Sequence, residues 1–128
     1  MGANPERPIV WMVDSRRVLS EFPKDAREEI GHSLRIAQRG QKAASAKPLF
    51  SGTMEIVSDS KTGNTYRGVY IAKLEDYIYV LHCFEKKSKR GIATPKLDQD
   101  MIRSRLKAAV KHNAEYVKKR DAAQTKRP

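Results

Sequence analysis

A chain of 128 residues suits one compact domain with a single core and leaves no room for a second of ordinary size. Its 26 lysines and arginines outnumber 15 aspartates and glutamates, which gives +11 at neutral pH and an isoelectric point near 10.0 and points to phosphate polymers or an acidic protein as partners. The one cysteine, Cys83, excludes an internal disulfide, and the apolar run at residues 9–13 is too short for a signal sequence or membrane span, so a cytoplasmic protein without membrane attachment is expected.

Residues 1–8, with prolines at 5 and 8, read as a disordered lead-in, and residues 9–13 as a short apolar strand. Ser15 is placed to cap a short helix over about 16–22. Pro23 then opens a longer one in which Ala26, Ile30, Leu34 and Ala37 recur at helical spacing until Gly40 ends it. The opposite side of that helix carries Arg27, Glu28, Arg35 and Gln38, so it should lie against a sheet.

Residues 41–51 read as a basic loop with Lys42 and Lys47. Three strands follow at 53–58, 65–72 and 77–85, and their short connections imply antiparallel hairpins. Thr94 and Pro95 supply an N-cap oxygen and a first-turn proline for a last helix, with Asp98 and Asp100 complementing its dipole. Its apolar stripe is Leu97, Ile102, Leu106, Ala109 and Val110. Beyond Lys111 the pattern fades, and residues 111–128 read as a basic helical extension that frays into a disordered tail. The predicted domain is therefore 9–110, in the α+β class.

The strand at 77–85 runs directly into Lys86, Lys87, Lys89 and Arg90, with no acidic residue among them, before the helix start at Thr94. Cations held between two fixed elements suit positioned phosphate contacts better than a floppy tail does. Alternation along a strand places Arg67 with Val69 and Ile71, and Tyr66 with Tyr70 on the other side. In the next strand the same rule separates Tyr79, Leu81, Cys83, Glu85 and Lys87 from Ile78, Val80, His82, Phe84 and Lys86. If the second set packs on the helices, Arg67 and Lys87 share the opposite, more open face, where two neighbouring cations invite an anion. A salt bridge between Arg67 and Glu55 competes with that role, as does an ordinary solvated strand end for Lys86 and Lys87. His82 reads as a hydrogen-bonded core histidine, Cys83 as packing, and Tyr66 and Tyr70 as core. His32 and His112 have no partner at metal-ligand spacing, so no metal site and no cofactor are expected.

The order Tyr66-Arg67-x-Val69-Tyr70, a hairpin, Val80-Leu81-His82-x-Phe84-x-Lys86-Lys87-Ser88 and a Thr94-Pro95 helix start resembles the RelE/ParE toxin superfamily, near its HigB-like, phage-derived branch. The resemblance covers about residues 9–110. It implies an N-terminal helical hairpin and a C-terminal helix packed on a small, curved, mainly antiparallel sheet, and an antitoxin of helix-turn-helix type as partner. RelE-like members of the superfamily are ribosome-dependent endoribonucleases that cut mRNA without a metal. On that resemblance Arg67 and Lys87 are the catalytic positions, Arg67 holding the phosphate and Lys87 stabilising the developing charge. Lys86 is a second phosphate contact, and Lys89, Arg90 and Lys47 are further RNA-binding cations. The strand at 53–58 departs from the pattern: it carries Met54-Glu55-Ile56-Val57 where the familiar nucleases have lysines. Glu55 is then a candidate base. Two alternatives stay open: a ParE-like toxin that disables gyrase by protein contact, and a phage-derived nucleic-acid-binding module without catalysis.

Overall fold

The computed structural model describes residues 6–74, 76–86 and 94–125. Eight elements follow in chain order: β1 (Ile9–Trp11), α1 (Ser15–Ser20), α2 (Lys24–Gln38), β2 (Ala46–Pro48), β3 (Thr53–Asp59), β4 (Thr65–Ile71), β5 (Ile78–Lys86) and α3 (Lys96–Thr125). The strands form one five-stranded sheet in the order β1-β5-β4-β3-β2. All pairs are antiparallel except β1 with β5, which run parallel. The mixed α+β class expected from the sequence is correct.

Both helical patterns of the N-terminal half form, each with its start shifted slightly. Pro23 is the N-cap of α2 rather than its first residue, and Gly40, at a φ of +86°, closes the helix in the left-handed region that glycine tolerates best. Ser15 lies inside α1 and does not cap it: its hydroxyl donates instead to the Val80 carbonyl at 3.2 Å. Ala26, Ile30, Leu34 and Ala37 are all buried, as their spacing requires, against Ile56, Tyr66, Tyr70, Ile78 and Val80 of the sheet. The approach is close over β4, where a Cβ added to Gly68 would sit 3.1 Å from the Ile30 side chain. Glycine there lets α2 lie low on the sheet.

Four expectations need correction. Residues 41–51 are not wholly loop: Ala46–Pro48 pairs with β3 as the edge strand β2. Its sequence, Ala-Lys-Pro, has no strand-like alternation, and a proline-ended edge strand is an ordinary way to blunt a sheet edge. Residues 6–8 are not a loose lead-in, because the Arg7 guanidinium donates to the carbonyls of Ala72 at 2.6 Å, Leu74 at 3.2 Å and Ala37 at 3.2 Å, tying the chain start to the ends of β4 and α2. Residues 1–5 lie outside the described residues. The last helix does not fray after Lys111 but continues to Thr125, as Tyr116 packs on Tyr77 with ring centroids 4.9 Å apart and Arg120 pairs with Asp76.

The fourth correction concerns the second sheet face, which is not open. α3 covers it, and Val69, Ile71, Tyr79, Leu81 and Phe84 form a second core with Ile102 and Ala109, so every residue of β4 is buried. The predicted α3 stripe is only half right. Ile102 and Ala109 are fully buried, but Leu97 is 73% exposed and Val110 is exposed too. The face of α3 that meets the sheet also carries Asp98, Arg105 and His112, which a search for apolar periodicity passes over.

Candidate phosphate-binding site

A β-bulge in β5 decides which side chains share the site. Along β4 and β5 the pairs run Thr65 with Lys86, Arg67 with Phe84 and Val69 with His82, but Tyr70 then pairs with Val80, so Leu81 is an extra residue. One inserted residue inverts the alternation. Val80 faces α2 and so does Cys83, whereas Leu81 and Phe84 face α3. Strict parity had placed Lys86 and Phe84 with Val80 and Ile78, away from Arg67. The bulge instead brings Lys86 to the face of Arg67. Lys87, Lys89 and Arg90, the other predicted cations of this run, lie outside the described residues.

Glu55 sits at the centre of the cluster. It is opposite Lys47 on β2 and opposite Val69 on β4, so Lys47, Glu55 and Arg67 share one sheet face. The carboxylate is 1% exposed and accepts from Arg67 Nη1 at 2.8 Å through Oε1. Lys47 Nζ stands 3.9 Å from the same oxygen. The other oxygen, Oε2, accepts from the Thr94 hydroxyl at 3.3 Å. The residue read as an N-cap for the last helix therefore bonds across to β3, and Pro95 supplies the first helical acceptor instead, its carbonyl taking the Gln99 N–H at 2.9 Å.

Arg67 is 6% exposed, which rules out the predicted open-surface position. Its Nε is buried and has no hydrogen-bond partner among the described residues, so the pair with Glu55 uses only part of its donor fork. Lys86 is 5% exposed, and its pKa is pushed below lysine's ordinary value by burial first and by the neighbouring Arg67 second, with Glu55 acting in the opposite sense. Three cations, Lys47, Arg67 and Lys86, thus surround one carboxylate beside the start of α3. Arg67 and Lys86 are buried while Lys47 is half exposed, and negative charge would relieve the mutual repulsion of cations held this close, which makes the cluster a candidate anion site.

A polar network joins the same sheet face to α3 next to this cluster. His82 Nε2 lies 2.7 Å from Asp98, and its Nδ1 lies 3.1 Å from Arg105 Nη1. Arginine has only protons to offer, so Nδ1 is the acceptor and Nε2 carries the hydrogen that Asp98 accepts. Arg105 also donates to the Leu81 carbonyl at 3.0 Å, satisfying the bulge, and pairs with Asp14 at 3.0 Å. His82 stacks on Phe84, with centroids 5.1 Å apart. The expected hydrogen-bonded core histidine is what this geometry describes. Cys83 lies on the other face, buried, with its thiol pushed up to about 12 chiefly by desolvation, so it is packing rather than a nucleophile. Among the described residues no group of histidine, cysteine and carboxylate side chains could hold a metal ion. No described helix is long and apolar enough to cross a membrane.

Arg105 and Asp14 were missed from the sequence. The available signal was spacing: Asp98, Ile102, Arg105, Ala109 and His112 recur at three- and four-residue intervals and mark one helix face whose polar members require partners.

No curated protein matches the chain. The family model described as phage-derived protein Gp49-like (DUF891) matches residues 17–107, a span that includes β3, β4, β5 and every residue of the Glu55 cluster. The chain belongs to the Gp49-like family of phage-derived proteins, itself part of the RelE/ParE-like toxin superfamily.

Proposed function

We propose that the protein is the toxin of a type II toxin–antitoxin system, of the HigB-like branch, and that it inhibits translation in the cytoplasm as a metal-independent, ribosome-dependent mRNA endoribonuclease. The observation that carries this reading is the convergence of Lys47, Arg67 and Lys86 around a single buried carboxylate on one sheet face. In the reaction, a ribose 2′-hydroxyl loses its proton and attacks the adjacent phosphorus. The bond to the 5′-oxygen breaks, and that oxygen takes up a proton, leaving a cyclic 2′,3′-phosphate and a 5′-hydroxyl. Arg67 holds the phosphate, Lys86 neutralises a second phosphate oxygen, and Lys87 stabilises the charge that develops in the transition state. Lys47, Lys89 and Arg90 contact neighbouring phosphates. The partner that silences the toxin is a helix-turn-helix antitoxin with an acidic contact surface, steered by the +11 charge.

One observation favours a second reading. Arg67 already has an internal anion in Glu55, which suits a ParE-like toxin that inhibits gyrase by protein contact and needs no phosphate site. Ribosomes programmed with a defined mRNA, with DNA supercoiling assayed in parallel, separate the two. The nuclease reading expects mRNA cleavage by the wild type and a loss of about 10²–10³ in rate for Arg67→Ala. Intact mRNA together with loss of supercoiling activity would select the gyrase reading.

A further inference from the structure

We propose that Glu55 is a built-in counter-ion: it holds Arg67 in the empty protein, and an incoming RNA phosphate must displace it. The inference rests on the reading of this cluster as a phosphate site and adds how the site is kept closed. Glu55 stands among Lys47, Arg67 and Lys86, so the cluster carries two positive charges in excess even with the carboxylate in place. Burying Arg67 with no anion at all would be strongly unfavourable, because a desolvated guanidinium requires a partner. Glu55 supplies that partner when RNA is absent.

The bond is nevertheless incomplete as an arginine–anion contact. Only Nη1 of Arg67 reaches Glu55, through one oxygen, while Nε is buried without a partner among the described residues. A phosphate can engage two arginine donors at once and also present an oxygen toward Lys86, whereas the Glu55 carboxylate meets Arg67 through a single oxygen. The second carboxylate oxygen is tied to Thr94, immediately before α3. Displacement of Glu55 therefore releases a link between β3 and the start of α3 as RNA enters. The exchange is anion for anion, so the net charge of the site changes little and the affinity for RNA is lower than three cations alone would give.

The probe is a short single-stranded oligoribonucleotide made non-cleavable by 2′-O-methyl groups, with binding read by fluorescence anisotropy and folding by thermal melting. Glu55→Gln should bind about tenfold more tightly than wild type, the size expected from removing one like charge a few ångströms from the phosphate in a partly desolvated site. Thr94→Val, which keeps every charge but frees the second oxygen, should tighten binding by less. Both variants should melt lower than wild type in chloride buffer and gain more than wild type when the oligonucleotide is added. Adding Arg67→Met to Glu55→Gln should cancel the gain.

If Glu55→Gln and Thr94→Val both bind no better than wild type while Arg67→Met weakens wild-type binding, the counter-ion proposal is wrong and the phosphate site stands. If Arg67→Met changes nothing in an otherwise wild-type chain, the phosphate site itself is wrong. A Glu55→Gln protein with unchanged binding but no cleavage on ribosomes would make the carboxylate a base and overturn the proposal. Should Glu55→Gln fail to fold, Thr94→Val decides between these outcomes.

Discussion

The two faces of the sheet are closed by different chemistry. Under α1 and α2 the contacts are apolar almost throughout: Leu19, Phe22, Ala26, Ile30 and Leu34 against Ile56, Tyr66, Tyr70 and Val80. Under α3 an apolar patch around Ile102 and Ala109 is interrupted by ion pairs and charged hydrogen bonds, from Asp98 with His82 through Arg105 with Asp14 to Arg120 with Asp76. Apolar burial is non-directional and supplies most of the stability, whereas buried polar pairs are sensitive to geometry and contribute little net energy. The first face therefore carries the larger share of the apolar stabilisation, and the second combines a smaller core with buried charge.

If that division is right, the largest loss of stability should come from the first face. Ile30→Ala removes a fully buried side chain from the contact over Gly68 and should cost about 2–5 kcal/mol in denaturant unfolding. Arg105→Met keeps much of the side-chain volume on the second face but leaves the Leu81 carbonyl and His82 Nδ1 without their donor, and a loss of about 1.5–3 kcal/mol is expected in the same assay. A cost for Arg105→Met equal to or above that of Ile30→Ala would mean that the polar face holds the fold after all.

The same contrast explains what could be read from the sequence. Ala26, Ile30, Leu34 and Ala37 declared their face because apolar spacing and burial coincide in α2, and the Tyr66 and Tyr70 side of β4 followed from alternation. Alternation failed in β5 because a bulge has no residue signature: nothing in Val80-Leu81-His82 distinguishes the extra residue, and the described residues from His82 to Lys86 change sides. Arg67 was read as a phosphate ligand with a salt bridge to Glu55 as the competing role, and that salt bridge is present. Their coexistence, with Lys86 as a neighbour, depended on the register. The reach of α3 was hidden for a related reason. Its last turns are fixed by Tyr116 and Arg120 meeting Tyr77 and Asp76, long-range contacts that a fading apolar stripe does not announce.

The smallest effect is expected there. Tyr116→Ala should lose an edge-on aromatic contact of about 0.5–1.5 kcal/mol, and Arg120→Ala should loosen the ion pair with Asp76. Hydrogen exchange should then speed up over residues 113–120 and leave β4 and β5 protected. Uniform loss of protection across the sheet would show that the extension is part of the cooperative core rather than an appendage to it.

Chemical-shift mapping by NMR with the non-cleavable 2′-O-methyl oligoribonucleotide tests the central claim, that the α3 face of the sheet is where phosphate is bound, more directly than any mutation. The expected result is a compact set of shifts at Lys47, Glu55, Arg67, Lys86 and Thr94, with Ile30, Leu34 and Ala37 of α2 unmoved. Shifts gathered on the outer side of α2, at Arg27, Glu28 and Arg35, with Arg67 and Glu55 unchanged, would contradict it.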